Sequence, residues 1–209
     1  MKSLSDSLNR ELPLSAWSGW LILPIVLALF LAGAGLVILA VVREVPWWVA
    51  GGILSVFLGG VGARGLFALQ PNEARVMILF GAYRGTMRQS GFYWVNPFMS
   101  RIPLSLRARN LNGDKLKVND KRGNPIEIAA VVVWRVQDTA QAIFDVDNFE
   151  NYVRVQSESA VRHLANAYPY DHGEDTEGSE TTLRSSVDEV SAALQEELAA
   201  RLAKAGVVV

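Results

Sequence analysis

The sequence predicts an α+β protein in which an N-terminal transmembrane helical hairpin precedes a soluble domain. Three observations support this fold class: a long apolar region broken by one charged pair, several short strands after it, and amphipathic helices towards the C-terminus. Strands followed by helices are typical of an α+β domain, here a small and mostly antiparallel sheet. The soluble part, about 145 residues long, is the size of one ordinary domain.

The apolar region begins at Trp17 and is interrupted only by Arg43–Glu44 before Arg64 is reached. A helix needs roughly 20 apolar residues to cross the hydrocarbon core, so we expect two transmembrane helices at about 17–42 and 45–66. The apolar run is too long for a signal peptide, whose apolar segment has about 7–15 residues. Two full crossings are favoured over a segment that dips into the bilayer and returns.

Two pairs of tryptophans lie near the two ends of the first apolar segment. Trp17 and Trp20 stand at its start, and Trp47 and Trp48 follow the charged turn. Tryptophan prefers the membrane–water interface, where the ring is half buried and the indole N–H stays hydrated. The four rings are therefore predicted to mark the two membrane interfaces.

Small residues recur every four positions in the second apolar segment, at Gly51, Ser55, Gly59 and Ala63. This spacing places them on one helix face, and small residues allow membrane helices to approach closely. We interpret them as a packing face, against either the first helix or a neighbouring subunit. The alternative is that glycine is simply common in membrane helices.

The net charge of −1 hides an uneven distribution. Between Arg64 and Arg109 there are seven arginines and one acid, a net charge of +6, whereas the rest of the chain, from Asn110 on, has a net charge of −7. Basic residues beside a membrane attract anionic lipid head groups. The candidate head-group contacts are Arg64, Arg75, Arg84 and Arg88; an ordinary solvated face is the equally weighted alternative.

The same arginines suggest an orientation for the hairpin. Cytoplasmic segments carry an excess of Lys and Arg, and the segment after the second helix is the basic one. We therefore expect both termini in the cytoplasm, including the N-terminal segment 1–16. A bacterial inner membrane is the expected location.

Alternating apolar residues predict strands at 73–81, 92–94 and 102–106. Residues 123–125, Gly-Asn-Pro, indicate a hairpin-like reversal. The clearest strand is 126–136, which is apolar on both faces in its middle. A strand of that kind is expected to be covered on both sides.

Helices are expected after that strand. Asp138 can cap a short helix that ends at Phe144, and Asp147 or Asn148 can cap a longer one that ends near Tyr168. An acidic loop then leads to a third helix, predicted at 180–204. A further strand starts at Val207, so we expect the domain at 68–209 to be cut short at its C-terminal end.

The sequence offers little catalytic or metal-binding chemistry. It has no cysteine, two histidines, and none of the hydrolase, zinc or phosphate-loop motifs. His163 is interpreted as structural or solvated, and His172 lies in an acidic loop whose spacing matches no known metal-ligand set. No catalytic, cofactor or metal site is predicted and nucleic acid is not an expected partner; a hydrolase that uses His172 is a minor alternative.

Three blocks of the sequence resemble the SPFH domain (Band 7, prohibitin-homology) family. The first is EARVMILFGAYRGTMRQSGFYWVNPF at 73–98, with its Phe80-Gly81, Gly91-Phe92-Tyr93-Trp94 and Pro97-Phe98 features. The second combines Leu116-Lys117-Val118, Gly123-Asn124-Pro125-Ile126 and Val133-Trp134-Arg135-Val136. The third joins Tyr152-Val153 to Gln156-x-Glu158-Ser159-Ala160-Val161-Arg162. Stomatin-like and flotillin-like proteins are the nearest analogues.

The resemblance implies a function that is structural and not enzymatic. Members of this family form large assemblies on membranes and organise lipid microdomains, and they often regulate membrane proteases. The expected function is thus an oligomeric, membrane-anchored scaffold that organises microdomains and the proteins in them. The alternative is a regulatory subunit of a membrane enzyme complex, such as an ATP-dependent membrane protease.

Overall fold

The computed structural model of the chain describes residues 10–171 and 181–209. In this part of the chain, helices combine with antiparallel sheets, which confirms the predicted α+β class. The helices are α1 (Gly19–Val42), α2 (Trp47–Arg64), α3 (Thr139–Phe144), α4 (Phe149–Ala167) and α5 (Val187–Leu202). The strands are β1 (Trp17–Ser18), β2 (Leu66–Leu69), β3 (Glu73–Leu79), β4 (Ala82–Met87), β5 (Gly91–Trp94), β6 (Ser100–Ser105), β7 (Arg109–Asn112), β8 (Leu116–Asn119), β9 (Pro125–Ile128), β10 (Val131–Val136) and β11 (Val207–Val208).

The chain forms two compact units. The first comprises Leu12–Ser105, and the second comprises Leu106–Val209 and also includes Glu11. The first unit contains α1, α2 and two three-stranded sheets, with strand orders β1-β5-β2 and β4-β3-β6. One cluster of buried side chains in this unit consists of Leu69, Met77, Met87 and Val95. The helical hairpin thus belongs to the same compact unit as the first six strands.

Both helices predicted from the apolar segments are present, and each is slightly shorter than expected. The first begins at Gly19 because Trp17 and Ser18 form β1, and the second ends at Arg64 because Leu66 begins β2. The helices contain 24 and 18 residues, and both are long and apolar enough to span a membrane. At 1.5 Å per residue they extend for about 36 Å and 27 Å, close to the hydrocarbon thickness of about 30 Å.

The second unit is built around β10, which pairs with β7 on one side and with β11 on the other. The predicted caps of the two helices that follow are both present. The Asp138 carboxylate accepts from the backbone N–H of Ala140 and Gln141, and the Asn148 side chain accepts from Asn151. These side chains satisfy N–H groups that lack partners within the helix, which sets where α3 and α4 begin.

The predicted strand at 126–136 is wrong in two respects. It is divided into β9 and β10, which pair with different neighbours, β8 and β7. Between them the Ala130 carbonyl accepts from the N–H of Gly113, so the chain changes partner at this point. In addition, β10 is covered on one face only: Val132 is buried, whereas Val131 and Val133 are 69% and 52% exposed.

Other elements differ from the predictions in extent. The strand expected at 73–81 ends at Leu79, because Phe80 and Gly81 form the turn to β4, which was not predicted. The third long helix begins at Val187 instead of residue 180. Thr182 and Ser185 precede it in a turn closed by their hydroxyl groups, 2.6 Å apart, and by a bond from the N–H of Ser185 to the Thr182 hydroxyl. Short polar side chains of this kind compete with helical hydrogen bonds.

Asp120 organises the predicted reversal between β8 and β9. Its buried carboxylate accepts hydrogen bonds from the N–H groups of Arg122, Asn124 and Tyr170 and from the side-chain amide of Asn124. Burial alone would raise the pKa of this carboxyl group, but the hydrogen bonds outweigh it and lower the pKa from 3.8 to about 2. The hydrogen bond from the Tyr170 N–H to Asp120 connects the β8–β9 reversal to the segment after α4.

The lowered pKa predicts how stability depends on pH. A carboxylate with a lower pKa in the folded state stabilises that state above its ordinary pKa of 3.8, and this contribution is lost as the pH falls towards 2. Asp120→Asn should lower the thermal unfolding temperature at pH 7, because an amide N–H₂ would face other donors. It should also reduce the fall in that temperature between pH 5 and 2, measured by circular dichroism in non-ionic detergent. Asp114→Asn, at an exposed site, is the control; equal effects of both substitutions would contradict the prediction.

Candidate functional site: the base of the membrane hairpin

Both ends of the hairpin are attached to one strand, β5. On one edge of β5, Trp17 pairs with Trp94 and Ser18 with Tyr93. On the other edge, β2 pairs with β5 in a register that places Leu66 opposite Trp94. The residues before α1 and those after α2 are therefore held at the same point of the sheet.

The segment before β1 is also paired with the region after the hairpin. The Leu12 carbonyl accepts from the N–H of Thr86 at 2.7 Å, and the N–H of Leu14 donates to the Thr86 carbonyl at 3.0 Å. Gly85 allows this approach, since its φ is +137° and a Cβ there would lie 2.8 Å from the Leu12 carbonyl oxygen. The segment before β1 and strand β4, which follows the hairpin, are therefore paired with each other.

The end of α2 is capped by groups from the strands around it. The Trp94 indole Nε1 donates to the Gly62 carbonyl at 2.8 Å, and the N–H of Val95 donates to the Gly65 carbonyl at 3.1 Å. The Arg101 guanidinium donates to the Arg64 carbonyl at 2.6 Å. Carbonyl groups at the end of a helix lack partners within that helix, and Val95 and Arg101 supply donors to two of them. The Trp94 indole adds a second donor to the Gly62 carbonyl, which also accepts from the N–H of Gly65.

Arg101 is a residue of this site that the sequence did not indicate. Its side chain also lies over the Phe67 ring, with the guanidinium carbon 5.4 Å from the ring centroid. Burial lowers the pKa of Arg101, and the charges of Arg75 and Arg64 lower it further. Arginine keeps its charge under these conditions, because its ordinary pKa lies far above neutral pH. It therefore adds a fixed positive charge where the C-terminal end of the helix dipole is negative.

Aromatic rings surround the base of the hairpin. Trp17 packs against Trp94 with ring centroids 6.4 Å apart, and Trp20 meets Phe92 edge to face at 5.4 Å. Trp17 and Trp20 are nevertheless 68% and 71% exposed. Trp47, at the start of α2 and thus at the opposite end of the hairpin, is 76% exposed.

Buried residues recur at seven-residue intervals in α1 and α2, and most of them are small. The buried residues of α1 are Gly19, Val26, Gly33 and Ala40, and those of α2 are Gly52 and Gly59. The closest approach joins Gly33 to Gly52, where a Cβ on either glycine would lie within 2.9 Å of the other's carbonyl oxygen. Two residues of the predicted face take part: the Ser55 hydroxyl donates to the Leu29 carbonyl at 2.8 Å, and Gly59 lies beside the Phe30 ring.

Gly51 does not contact the first helix. It is exposed, a Cβ added to it would have no heavy atom within 4 Å, and Gly52 occupies the contact position instead. Residues four positions apart are rotated by about 40° around the helix axis. Residues that repeat every four positions therefore do not all face the same straight neighbouring helix. For Gly51 and the half-buried Ala63, contact with a neighbouring subunit stays a prediction.

The candidate head-group arginines do not all lie near the hairpin. Arg64 is the last residue of α2, and Arg84 is exposed two residues into β4. Arg75 and Arg88 lie at the far end of the β3–β4 pair from its turn, since Arg75 is opposite Met87. Arg75 also pairs with Glu73 at 2.9 Å. Head-group contact stays a prediction for all four.

The histidines do not form a metal centre in the described part of the chain, where no three potential ligands cluster. His163, 68% exposed in its side chain, bonds Glu197 at 3.0 Å on the surface of α4 and α5. Burial would raise the pKa of Glu197, but hydrogen bonds from His163 and Arg201 and the charges of both lower it. His172 and its acidic neighbours lie outside the described residues.

Comparison with known families identifies the class of protein. Residues 67–209 match the SPFH domain / Band 7 family, which covers more than half of the chain. The protein therefore belongs to the SPFH domain / Band 7 family, as the three sequence blocks predicted. The match begins at the strand that leaves the hairpin. No curated protein matches the chain.

The contact between Gly33 and Gly52 yields a paired test. Gly52→Ala should destabilise the hairpin by about 1–3 kcal/mol, because the added methyl group meets backbone and Val37 atoms that cannot easily move. Gly51→Ala makes the same chemical change one residue earlier, into open space. Thermal unfolding in mild detergent should show a lower midpoint for Gly52→Ala alone. Equal midpoints would place the helix contact elsewhere.

Proposed function

We propose that this protein is a membrane-anchored scaffold that assembles into oligomers and organises the lipids and proteins around it. The observation that carries the proposal is the attachment of both hairpin ends to β5. An anchor connected by a flexible linker would leave the domain free to move, whereas this one is part of the domain's own sheet. The domain is thereby held close to the bilayer surface.

Family membership supports the same proposal. SPFH proteins generally associate with membranes and form oligomers, and this chain has two helices of sufficient length and apolarity to span a membrane. We propose a cytoplasmic N-terminal segment at 1–16, a hairpin at 17–67 and an SPFH domain at 68–209. We place the protein in a bacterial inner membrane, with both termini in the cytoplasm.

The two tryptophan pairs support full crossings. The first pair lies at the base of the hairpin and the second at the start of α2, separated along α1 by about 36 Å. Interfacial rings at that separation suit a bilayer with a hydrocarbon core of about 30 Å. We propose that Trp17 and Trp20 lie at one interface and Trp47 and Trp48 at the other.

The function proposed is not catalytic. Membership of a family whose members are generally scaffolds supports this part of the proposal. We therefore assign no catalytic residues. A regulatory subunit of a membrane enzyme, such as an ATP-dependent protease, is the alternative, and it differs in requiring a stoichiometric enzyme partner.

Oligomerisation is the first property to measure. The complete protein, extracted from its native membrane in mild detergent, should form particles much larger than the 22.9 kDa of this chain, observed by blue-native electrophoresis and electron microscopy. A strictly monomeric species would contradict the scaffold.

The substitution Gly51→Leu tests whether the free face of α2 joins neighbouring subunits. Gly60→Leu, which also places its side chain in open space, is the control.

Partners of the assembly can be identified from the same preparation. Cross-linking in native membranes, followed by mass spectrometry, should recover co-assembled membrane proteins in variable amounts if the protein is a general scaffold. A single protease recovered at a fixed ratio would instead favour the regulatory subunit.

A further inference from the structure

Two phenylalanine rings on separate loops form an exposed stacked pair. Phe80, in the β3–β4 turn, is 86% exposed, and Phe98, in the β5–β6 loop, is 65% exposed. Their ring centroids are 6.4 Å apart and the planes differ by 26°. Phe80 has a φ of +49°, a left-handed conformation that bulky residues rarely adopt. Two large apolar rings exposed side by side form a contiguous apolar patch, and such a patch is a candidate interaction site.

The pair lies next to the end of the second membrane helix. Phe98 is three residues from Val95, which bonds the Gly65 carbonyl, and three residues from Arg101, which bonds the Arg64 carbonyl. Three residues span at most about 10 Å, so Phe98 cannot be far from the base of the hairpin. Stacking places the Phe80 ring beside it.

The charge around the pair is positive. From Arg64 to Ser105 the chain has five arginines and one acid, Glu73, and Glu73 is paired with Arg75 at the far end of β3. Arg84 and Arg101 lie closest to the two loops in sequence. Aromatic rings bordered by cations suit an interface with anionic head groups, where the rings enter the acyl boundary and the cations meet phosphate.

We propose that Phe80 and Phe98 insert into the lipid interface and act as a third membrane anchor beside α1 and α2. The occupant of this surface is the anionic bilayer itself, since the surface adjoins the hairpin that enters that bilayer. This inference rests on the proposed membrane insertion of the hairpin. Three points of attachment fix the tilt of the first unit on the membrane, which two adjacent helices alone leave adjustable.

The absence of cysteine allows single labels to be placed without background. Phe98→Cys is labelled with an environment-sensitive fluorophore, and the full chain is placed in nanodiscs of phosphatidylcholine and phosphatidylglycerol. Gln89→Cys is the matched control, because Gln89 is exposed in the β4–β5 loop, at the opposite end of β4 from the β3–β4 turn. Leu31→Cys, in the middle of α1, reports on insertion of the hairpin. Ala82→Cys repeats the test beside the β3–β4 turn with both phenylalanines present.

The proposal predicts that the probes at 98 and 82 are quenched by lipids spin-labelled near the head group and shielded from aqueous iodide. The probe at 89 should show the reverse. Strong iodide quenching at 98 and 82 would overturn the proposal, as would shielding without lipid quenching, which would indicate a second copy of the chain. If lipids spin-labelled deep in the acyl chains fail to quench the probe at 31, the hairpin itself is not inserted. If these lipids quench the probe at 31 while the probes at 98 and 82 remain exposed to water, the hairpin is inserted and only the proposal for Phe80 and Phe98 is wrong.

Discussion

The structure of the first unit depends on the pairing of β5 with both β1 and β2. The four-residue strand β5 pairs on one edge with β1, which leads into α1. On its other edge it pairs with β2, which follows α2. The ends of the hairpin are fixed by backbone hydrogen bonds instead of by a linker. A hairpin held in this way has both ends at one place in the sheet, so the length of its helices decides how far its turn lies from that sheet.

The same strand also supplies a hydrogen-bond donor to the carbonyl groups at the end of α2. The last carbonyl groups of a helix lack intrahelical partners, and an unsatisfied polar group in hydrocarbon costs several kcal/mol. The N–H of Val95 satisfies the Gly65 carbonyl and the Arg101 guanidinium satisfies the Arg64 carbonyl, while the Trp94 indole is a second donor to the Gly62 carbonyl. With these partners supplied by protein, the end of the helix can lie at the level of the lipid head groups without depending on water.

The features that the sequence predicted are those with local physical causes. Apolar length predicted two helices, and the candidate caps, Asp138 for α3 and Asp147 or Asn148 for α4, predicted where these helices begin, because a cap acts on its own first turn. The features that were missed depend on contacts between distant residues. Arg101 reaches the Arg64 carbonyl only through the register of β6 on β3, and β9 separates from β10 because each pairs with a different strand. Of the small residues predicted to form a packing face, Ser55 and Gly59 contact α1, and Gly52, which was not part of that prediction, joins them because it lies on the same side of α2.

The central claim is that the hairpin crosses the bilayer twice and returns to its starting side, where β5 holds both ends. Single cysteines at Leu12, Gln70 and Glu44 test it, with a membrane-impermeant thiol reagent applied to sealed native membrane vesicles of known orientation. The structure predicts that the cysteines at 12 and 70 react from one side and that the cysteine at 44 reacts only from the other. Reaction of the cysteines at 12 and 70 from opposite sides, or of all three from the same side, would contradict it.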